Sequence, residues 1–283
     1  MGAKLPFVKM SGAGNDFVVL DNRQGQVKGD LQAFAAAVCD RRFGVGGDGL
    51  LLVEASTRKD FRMRYYNADG SEADMCGNGA RCIARYASLI GAASKVMEFE
   101  NLAGDFKATL LDEGGVEVQM TPPHSMRLGM KVEVDGKAVQ GHFVNTGVPH
   151  FVAPVEDVDK VDVVGLGRKL RHHSAFAPKG SNINFAQITG PASLAVRTYE
   201  RGVEGETLAC GTGVVAAAVL MARTGRVSAP VAVKVRGGDT LTIHFNLQGD
   251  EASGVLMSGP AEVTFEGVLE LDKVARPRTG AGR

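Results

Sequence analysis

Two cysteines stand in near-copies of one motif, Glu72-Ala73-Asp74-Met75-Cys76-Gly77-Asn78-Gly79 and Glu206-Thr207-Leu208-Ala209-Cys210-Gly211-Thr212-Gly213. Each motif runs straight into an alanine-rich stretch of helical character. A thiol is a base or nucleophile only as thiolate, and its free pKa of about 8.5 falls to roughly 3.5–7.5 at a helix N-terminus or beside a cation. The glycines let backbone N–H groups approach a ligand closely, and the positive end of the helix dipole favours an anion such as a carboxylate. Proton loss beside that carboxylate puts charge on its oxygens, where removing one preorganised donor raises a barrier by about 3 to 4 kcal/mol. The pattern therefore points to carbanion chemistry: one thiol removes a proton from an α-carbon, the other delivers one to the opposite face, and the product is the epimer. A lone cysteine is more often a small buried hydrophobe. Cys39 and Cys82 are read that way, whereas the repeated context sets Cys76 and Cys210 apart.

Candidate partners lie in short polar segments: Asn15 in Gly12-Ala13-Gly14-Asn15-Asp16-Phe17, Asn67 in Tyr66-Asn67-Ala68-Asp69-Gly70, His150 in Gly147-Val148-Pro149-His150, Asn182 in Gly180-Ser181-Asn182, and Glu200-Arg201. Taken singly, each is a turn asparagine or a solvated charge. As a set they suit an amino group and a second carboxylate, because Arg binds carboxylate in a two-point fashion.

The elements that carry these residues are themselves repeated. The 134-residue offset between the cysteines also aligns Phe17-Val18 with Phe151-Val152, Gly91 with Gly225, and Gly104-Asp105 with Gly238-Asp239. A period this long is far beyond that of a solenoid, so it indicates an internal duplication into two lobes, with a cleft to which each brings one cysteine. In the first half, period-two apolar runs predict strands over 17–20, 50–53, 61–65, 97–99 and 106–110; in the second, over 194–199, 231–235 and 241–245. Ala80, Ile83, Ala84, Ala87 and Ile90 follow helical spacing with one apolar face, and Gly91 is placed to end that helix. The run from Val214 to Ala222 is apolar all round and predicts a helix buried on every side, ending at Gly225. The expected fold is α+β, each lobe formed by antiparallel strands wrapped around its own helix. The expected lobes are 1–121 and 122–262; residues 263–283 add a strand at Val263-Thr264-Phe265 that returns to the first lobe, and a frayed end follows beyond Val274.

Charge and composition narrow the function classes. In 283 residues, 32 Lys and Arg balance 32 Asp and Glu, so no global field draws the chain to nucleic acid or to an anionic membrane. The longest apolar run falls short of the roughly 20 residues of a membrane span, and the start, Met1-Gly2-Ala3-Lys4-Leu5-Pro6, has neither a signal-peptide core nor a myristoylation site. A cytoplasmic location is expected. Four cysteines without a Cys-x-x-Cys pair predict free thiols, and the six histidines show no metal-site spacing, so no metal is expected. Gly44-Val45-Gly46-Gly47-Asp48-Gly49 matches a dinucleotide-binding pattern, but a helical segment precedes it and a strand follows, the reverse of what that fingerprint requires.

The residues closely resemble the diaminopimelate epimerase family over nearly the whole chain. The most specific parts are Asn67 to Glu72 leading to Met75-Cys76-Gly77-Asn78-Gly79-Ala80-Arg81-Cys82, and Tyr199-Glu200-Arg201-Gly202 leading to Ala209-Cys210-Gly211-Thr212-Gly213, with Gly-x-Gly-Asn-Asp-Phe at Gly12 to Phe17. The resemblance implies two pseudo-symmetric, barrel-like lobes, a homodimer, and conversion of LL- to meso-diaminopimelate for lysine and peptidoglycan precursors without pyridoxal phosphate or any other cofactor. It implies Cys76 and Cys210 as acid and base, and Gly77, Asn78, Gly211 and Thr212 as the carboxylate cradle. Asn15, Asn67, Asn182 and Arg201 would hold the rest of the substrate, with His150 and Glu200 influencing thiol ionisation. Two positions depart from the family pattern: Val148 stands where many members have Asn, and Gly49 where some have Gln. The rival readings are a racemase of histidine or hydroxyproline type on the same fold, and a thiol redox switch; Arg201 with the three asparagines favours a substrate polar at both ends.

Overall fold

The computed structural model describes residues 4–249 and 251–274. The chain divides into two compact units, Met1–Val116 with Pro260–Arg283, and Glu117–Gly259.

In the first unit, strand Lys4–Gly12 turns back antiparallel into Asn15–Asp21. Helix α1 (Leu31–Cys39), capped by the Asp30 carboxylate on the N–H groups of Gln32 and Ala33, then crosses to Gly49–Glu54, which lies parallel to Asn15–Asp21. Phe61–Asn67 follows antiparallel, and the short strand Glu72–Ala73 returns along it. Helix α2 (Gly77–Leu89) intervenes before Val96–Asn101, parallel to Phe61–Asn67, and its hairpin partner Gly104–Leu110. Strand Glu262–Glu270 pairs with the outer edge of Lys4–Gly12. The sheet wraps α2, which packs against five of its strands, while α1 covers the outer face over Val18, Leu20, Leu50, Leu52 and Tyr66.

The second unit repeats this order. Lys137–Asn145 turns into Pro149–Pro154, and helix α3 (Val163–Arg171) crosses to the parallel strand Asn182–Gly190. Ser193–Glu200, the short return strand Gly205–Thr207, helix α4 (Gly211–Arg223), Val231–Val235 and Thr240–Gln248 repeat the remaining pairings one for one. Here α4 is the wrapped helix, buried along nearly its whole length as its uniform apolarity predicts. Each unit is thus the expected helix-centred sheet, with two parallel pairs added to the antiparallel ones. Period-two alternation reports which residues face the core but not strand direction, so the parallel pairs could not be read from it.

Strand register refines the internal alignment. Val18 pairs with Leu50 and Leu50 with Tyr66, as Phe151 pairs with Ile183 and Ile183 with Tyr199. In the strands before each cysteine the offset is therefore 133 rather than 134, and Val18, not Phe17, is the counterpart of Phe151. Tyr66 faces Glu72 across the first short hairpin and Tyr199 faces Glu206 across the second, so the second hairpin holds one more residue and restores the cysteine offset. Because successive strand residues point to opposite faces, this single residue decides which side chains of the two units are true counterparts.

Elements not singled out in the sequence include α3 and the strands Lys4–Gly12, Val116–Gln119, His124–Val134, Lys137–Asn145, Pro149–Pro154, Asn182–Gly190 and Glu251–Gly259. Two glycines weaken the helical signal of α3, yet Gly167 is required there, because a Cβ would come within 2.5 Å of Tyr199 Cβ. Helix α2 also departs from the single apolar face expected of it: Arg81 is fully buried, its guanidinium donating to Asn78 Oδ1 at 2.8 Å and to the carbonyls of Gly77 and Pro260. The frayed end expected beyond Val274 lies outside the described residues.

Candidate active site

Cys76 is the N-cap of α2, in extended backbone, and its Sγ accepts the Gly79 N–H at 3.4 Å. The residue is half-buried. Four residues earlier, Glu72 receives a two-point ion pair from Arg64, Nε to Oε1 at 2.7 Å and Nη2 to Oε2 at 3.0 Å. The glutamate that the two motifs share therefore anchors its hairpin to the neighbouring strand.

Asn15 and Asn78 belong to one directed chain of hydrogen bonds. Arg81 Nη2 donates to Asn78 Oδ1 at 2.8 Å, Asn78 Nδ2 to Asn15 Oδ1 at 2.6 Å, and Asn15 Nδ2 to Asp48 Oδ2 at 2.9 Å. A cation at one end and an anion at the other fix both amides in one orientation and polarise the chain. Asp48 is further held by Arg41, which also pairs with Asp16. Burial pushes the Asp16 carboxyl up, but hydrogen bonds and charge from Arg41 and Lys9 outweigh it and bring its pKa to about 2. Asn67 accepts from the Tyr65 hydroxyl at 2.8 Å and donates to Ser71 Oγ at 3.0 Å. Gly49, a departure from the family pattern, leaves room for that tyrosine, since a Cβ there would come within 2.5 Å of its ring.

In the second unit Cys210 is the N-cap of α4 and is buried, with Thr212 Oγ1 3.6 Å from its Sγ. Thr146 Oγ1 donates to the Thr212 carbonyl at 3.1 Å and pins this first turn. Glu206 repeats the role of Glu72, bound at two points by Arg197. Asn182 is buried and occupied by backbone: Nδ2 donates to the Pro149 carbonyl at 3.1 Å, and Oδ1 accepts the Arg201 N–H at 2.7 Å. It therefore shapes the chain on both sides of the site, at His150 and at Arg201. Strand alternation puts Thr198 and Glu200 on one face of their strand. His150 is fully buried; burial first, and the positive charge of Arg201 second, push its pKa down to about 3.

Asn184, Thr198, Thr146, Asp48, Arg81 and the two strand arginines escaped the sequence reading. For Asn184 a signal existed: an asparagine two residues after Asn182, on the same face of an otherwise apolar strand. Cys39 and Cys82 are buried, and burial pushes their thiols up to about 12. Among the described residues, no group of three or more His, Cys, Asp or Glu side chains could hold a metal ion, and no helix is long and apolar enough to cross a membrane.

Two units of identical connectivity, each a sheet wrapped around one helix, define an α+β architecture that recurs in solved structures. A PhzF-family phenazine biosynthesis protein of Bacillus anthracis matches with a TM-score of 0.70 at 15% identity, covering 94% of this chain and 99% of that one. A hydroxyproline epimerase of Agrobacterium vitis, solved with trans-4-hydroxy-L-proline, matches with a TM-score of 0.69 at 17% identity, covering 95% and 93%. Within this architecture, the family described as diaminopimelate epimerase matches residues 7–126 and 142–264. Diaminopimelate epimerase of Aquifex aeolicus is 45% identical over 276 residues, 94% of this chain and 98% of its own. That of Chlorobaculum tepidum is 46% identical over 265 residues, 93% of this chain and 100% of its own. The chain belongs to the diaminopimelate epimerase family and is an isomerase.

Proposed function

We propose that the protein interconverts LL- and meso-2,6-diaminopimelate, with Cys76 and Cys210 as the two bases. One thiolate takes the α-proton and becomes a thiol; the electron pair passes into the adjacent carboxylate; the other thiol gives its proton to the opposite face and becomes the thiolate. No net redox change occurs and no cofactor is required. The observation that carries the reading is the paired placement of each cysteine as N-cap of a buried helix that continues into Gly-x-Gly. The N–H groups of Gly77, Asn78, Gly211 and Thr212 serve the carboxylate at the reacting centre, where charge develops. Asn15, Asn67, Asn182 and Arg201 hold the amino group and distal carboxylate, and His150 and Glu200 influence the ionisation of the thiols.

The reading includes supply of lysine and peptidoglycan precursor in the cytoplasm, and a homodimer, for which the exposed Phe265 and Val268 on strand Glu262–Glu270 offer apolar surface. The test is proton NMR of the reduced protein with LL-diaminopimelate in deuterium oxide and no added cofactor. Deuterium entry at the α-carbon with formation of the meso isomer is expected, and Cys76→Ala and Cys210→Ala each abolish epimerisation. Arg201→Ala raises KM severely; an unchanged KM would count against a substrate with a distal carboxylate. Absence of exchange in folded, reduced protein sinks the assignment.

A further inference from the structure

Thr198 and Asn184 join His150 in a polar track under α4, and no role yet accounts for the first two. Thr198 Oγ1 donates to Asn184 Oδ1 at 2.9 Å, and Asn184 Nδ2 lies 3.1 Å from both the Phe151 carbonyl and His150 Nδ1. A carbonyl only accepts, so the amide nitrogen faces Phe151 and the orientation of Asn184 is determined. Its second N–H is then directed at His150 Nδ1, which accepts. A neutral imidazole that accepts at Nδ1 carries its hydrogen on Nε2. His150 Nε2 is buried and has no hydrogen-bond partner among the described residues. Burial of a donor without an acceptor is rare and calls for a partner that arrives from outside the folded chain.

The track lies against the thiol. A methyl group at Gly213 would run into Asn184 Oδ1 and lie 3.4 Å from Cys210 Sγ. The corresponding methyl at Gly79 would meet Leu51 Cδ2 at 3.3 Å, Cys76 Cβ at 3.5 Å and Phe17 Cε1 at 3.6 Å. Leu51 and Phe17 thus hold the places of Asn184 and His150, and Tyr65 pairs with Leu51 as Thr198 pairs with Asn184. The same topology stands with apolar Leu51 and Phe17 beside Cys76, so the fold itself does not demand Asn184 and His150 at these places.

We propose that Asn184, anchored by Thr198, is a positioning residue that fixes His150 as a neutral Nε2–H donor beside Cys210, poised for the carboxylate of the bound substrate. This rests on the reading of Cys210 as a catalytic thiol. The two sides are then unequal: the Cys210 side carries an imidazole donor where the Cys76 side has the ring of Phe17. Protonation does not erase the arrangement near neutral pH, because the ring titrates only at about 3.

The test is a long-range proton–nitrogen correlation spectrum of the reduced full chain labelled with 15N-histidine, in which His150→Gln identifies the His150 signals. The wild type is expected to show a bare Nδ1 and a protonated Nε2, and the Nε2–H resonance to shift when diaminopimelate is added. Asn184→Leu, which installs the residue of the other unit, frees the ring to exchange tautomers and lowers kcat about tenfold, with KM changed less than about twofold. Asn184→Asp draws the hydrogen to Nδ1, and Thr198→Val gives a smaller shift in the same direction as Asn184→Leu. A wild-type His150 protonated on Nδ1, or a tautomer untouched in both Asn184 variants, overturns the proposal. If Asn184→Leu does not fold, the wild-type spectrum and Thr198→Val decide it. The tautomer is read without substrate, so failure of diaminopimelate turnover with the expected spectrum would sink the functional assignment and leave this inference standing.

Discussion

Arg197 and Glu206 form a two-point ion pair across the hairpin that leads into Cys210, Nε to Oε1 at 2.6 Å and Nη2 to Oε2 at 2.7 Å. Arg64 and Glu72 do the same before Cys76. The pairs differ in burial: the Arg197 and Glu206 side chains are 12% and 17% exposed, those of Arg64 and Glu72 22% and 23%. Removing one partner of a buried pair leaves the other charge uncompensated. Arg197→Ala is therefore expected to destabilise by about 2 to 3 kcal/mol and Arg64→Ala by less. Urea denaturation of both variants measures this, and an equal loss would contradict the burial argument.

The two helix-opening glycines should respond differently to a methyl group. At Gly79 the nearest atom is a flexible Leu51 methyl, whereas at Gly213 it is Asn184 Oδ1, which three hydrogen bonds hold in place. Alanine is also the better helix former. Gly79→Ala should leave the melting temperature within a few degrees, while Gly213→Ala should destabilise by about 1 to 3 kcal/mol through overpacking. Differential scanning calorimetry on the pair decides it; a more damaging Gly79→Ala is the contrary result.

Thiol reactivity should divide the four cysteines. Cys39 and Cys82 are buried, with thiols pushed up to about 12. Cys76 is half-buried and Cys210 buried. Alkylation of the native reduced protein at neutral pH, followed by peptide mass spectrometry, should label Cys76 first, and Cys39 and Cys82 only after denaturation. Early labelling of Cys82 would refute this order.

Acid stability should carry the signature of His150. Its pKa drops from 6.5 to about 3 through burial and the charge of Arg201, so the unfolded chain binds this proton more readily than the folded one. The contribution is complete above pH 6.5 and is lost as pH falls towards 3, by up to about 1.4 kcal/mol per pH unit. Asp16 follows at lower pH: its stabilisation is full above 3.8 and disappears as pH falls through about 2. Denaturant midpoints between pH 7 and 4 should fall less steeply in His150→Gln than in the wild type. Parallel profiles would mean that His150 is not buried as a neutral ring.

The duplicated motif, the helix starts at Cys76 and Cys210 and the stops at Gly91 and Gly225 were legible in the chain because each depends on residues adjacent in sequence: glycine takes the left-handed conformation that ends both helices, with φ of 65° and 71°. Half of the strand cores were legible for the same reason, since alternation is a local pattern. Strand direction, and the one-residue difference between strand and cysteine offsets, were not, because both depend on which distant strand each run pairs with. The roles of polar residues followed the same division. Glu72 and Glu206 read as part of a catalytic motif until the fold set Arg64 and Arg197 opposite them across their hairpins. Asn184 carried no reading in the sequence, and parallel pairing brings it to Phe151 and His150. Sequence alone determined which residues could do the chemistry. Tertiary structure decided which hydrogen bonds each of them is left free to make, because a buried polar group takes its partners from whatever the pairing of distant strands brings within about 3 Å.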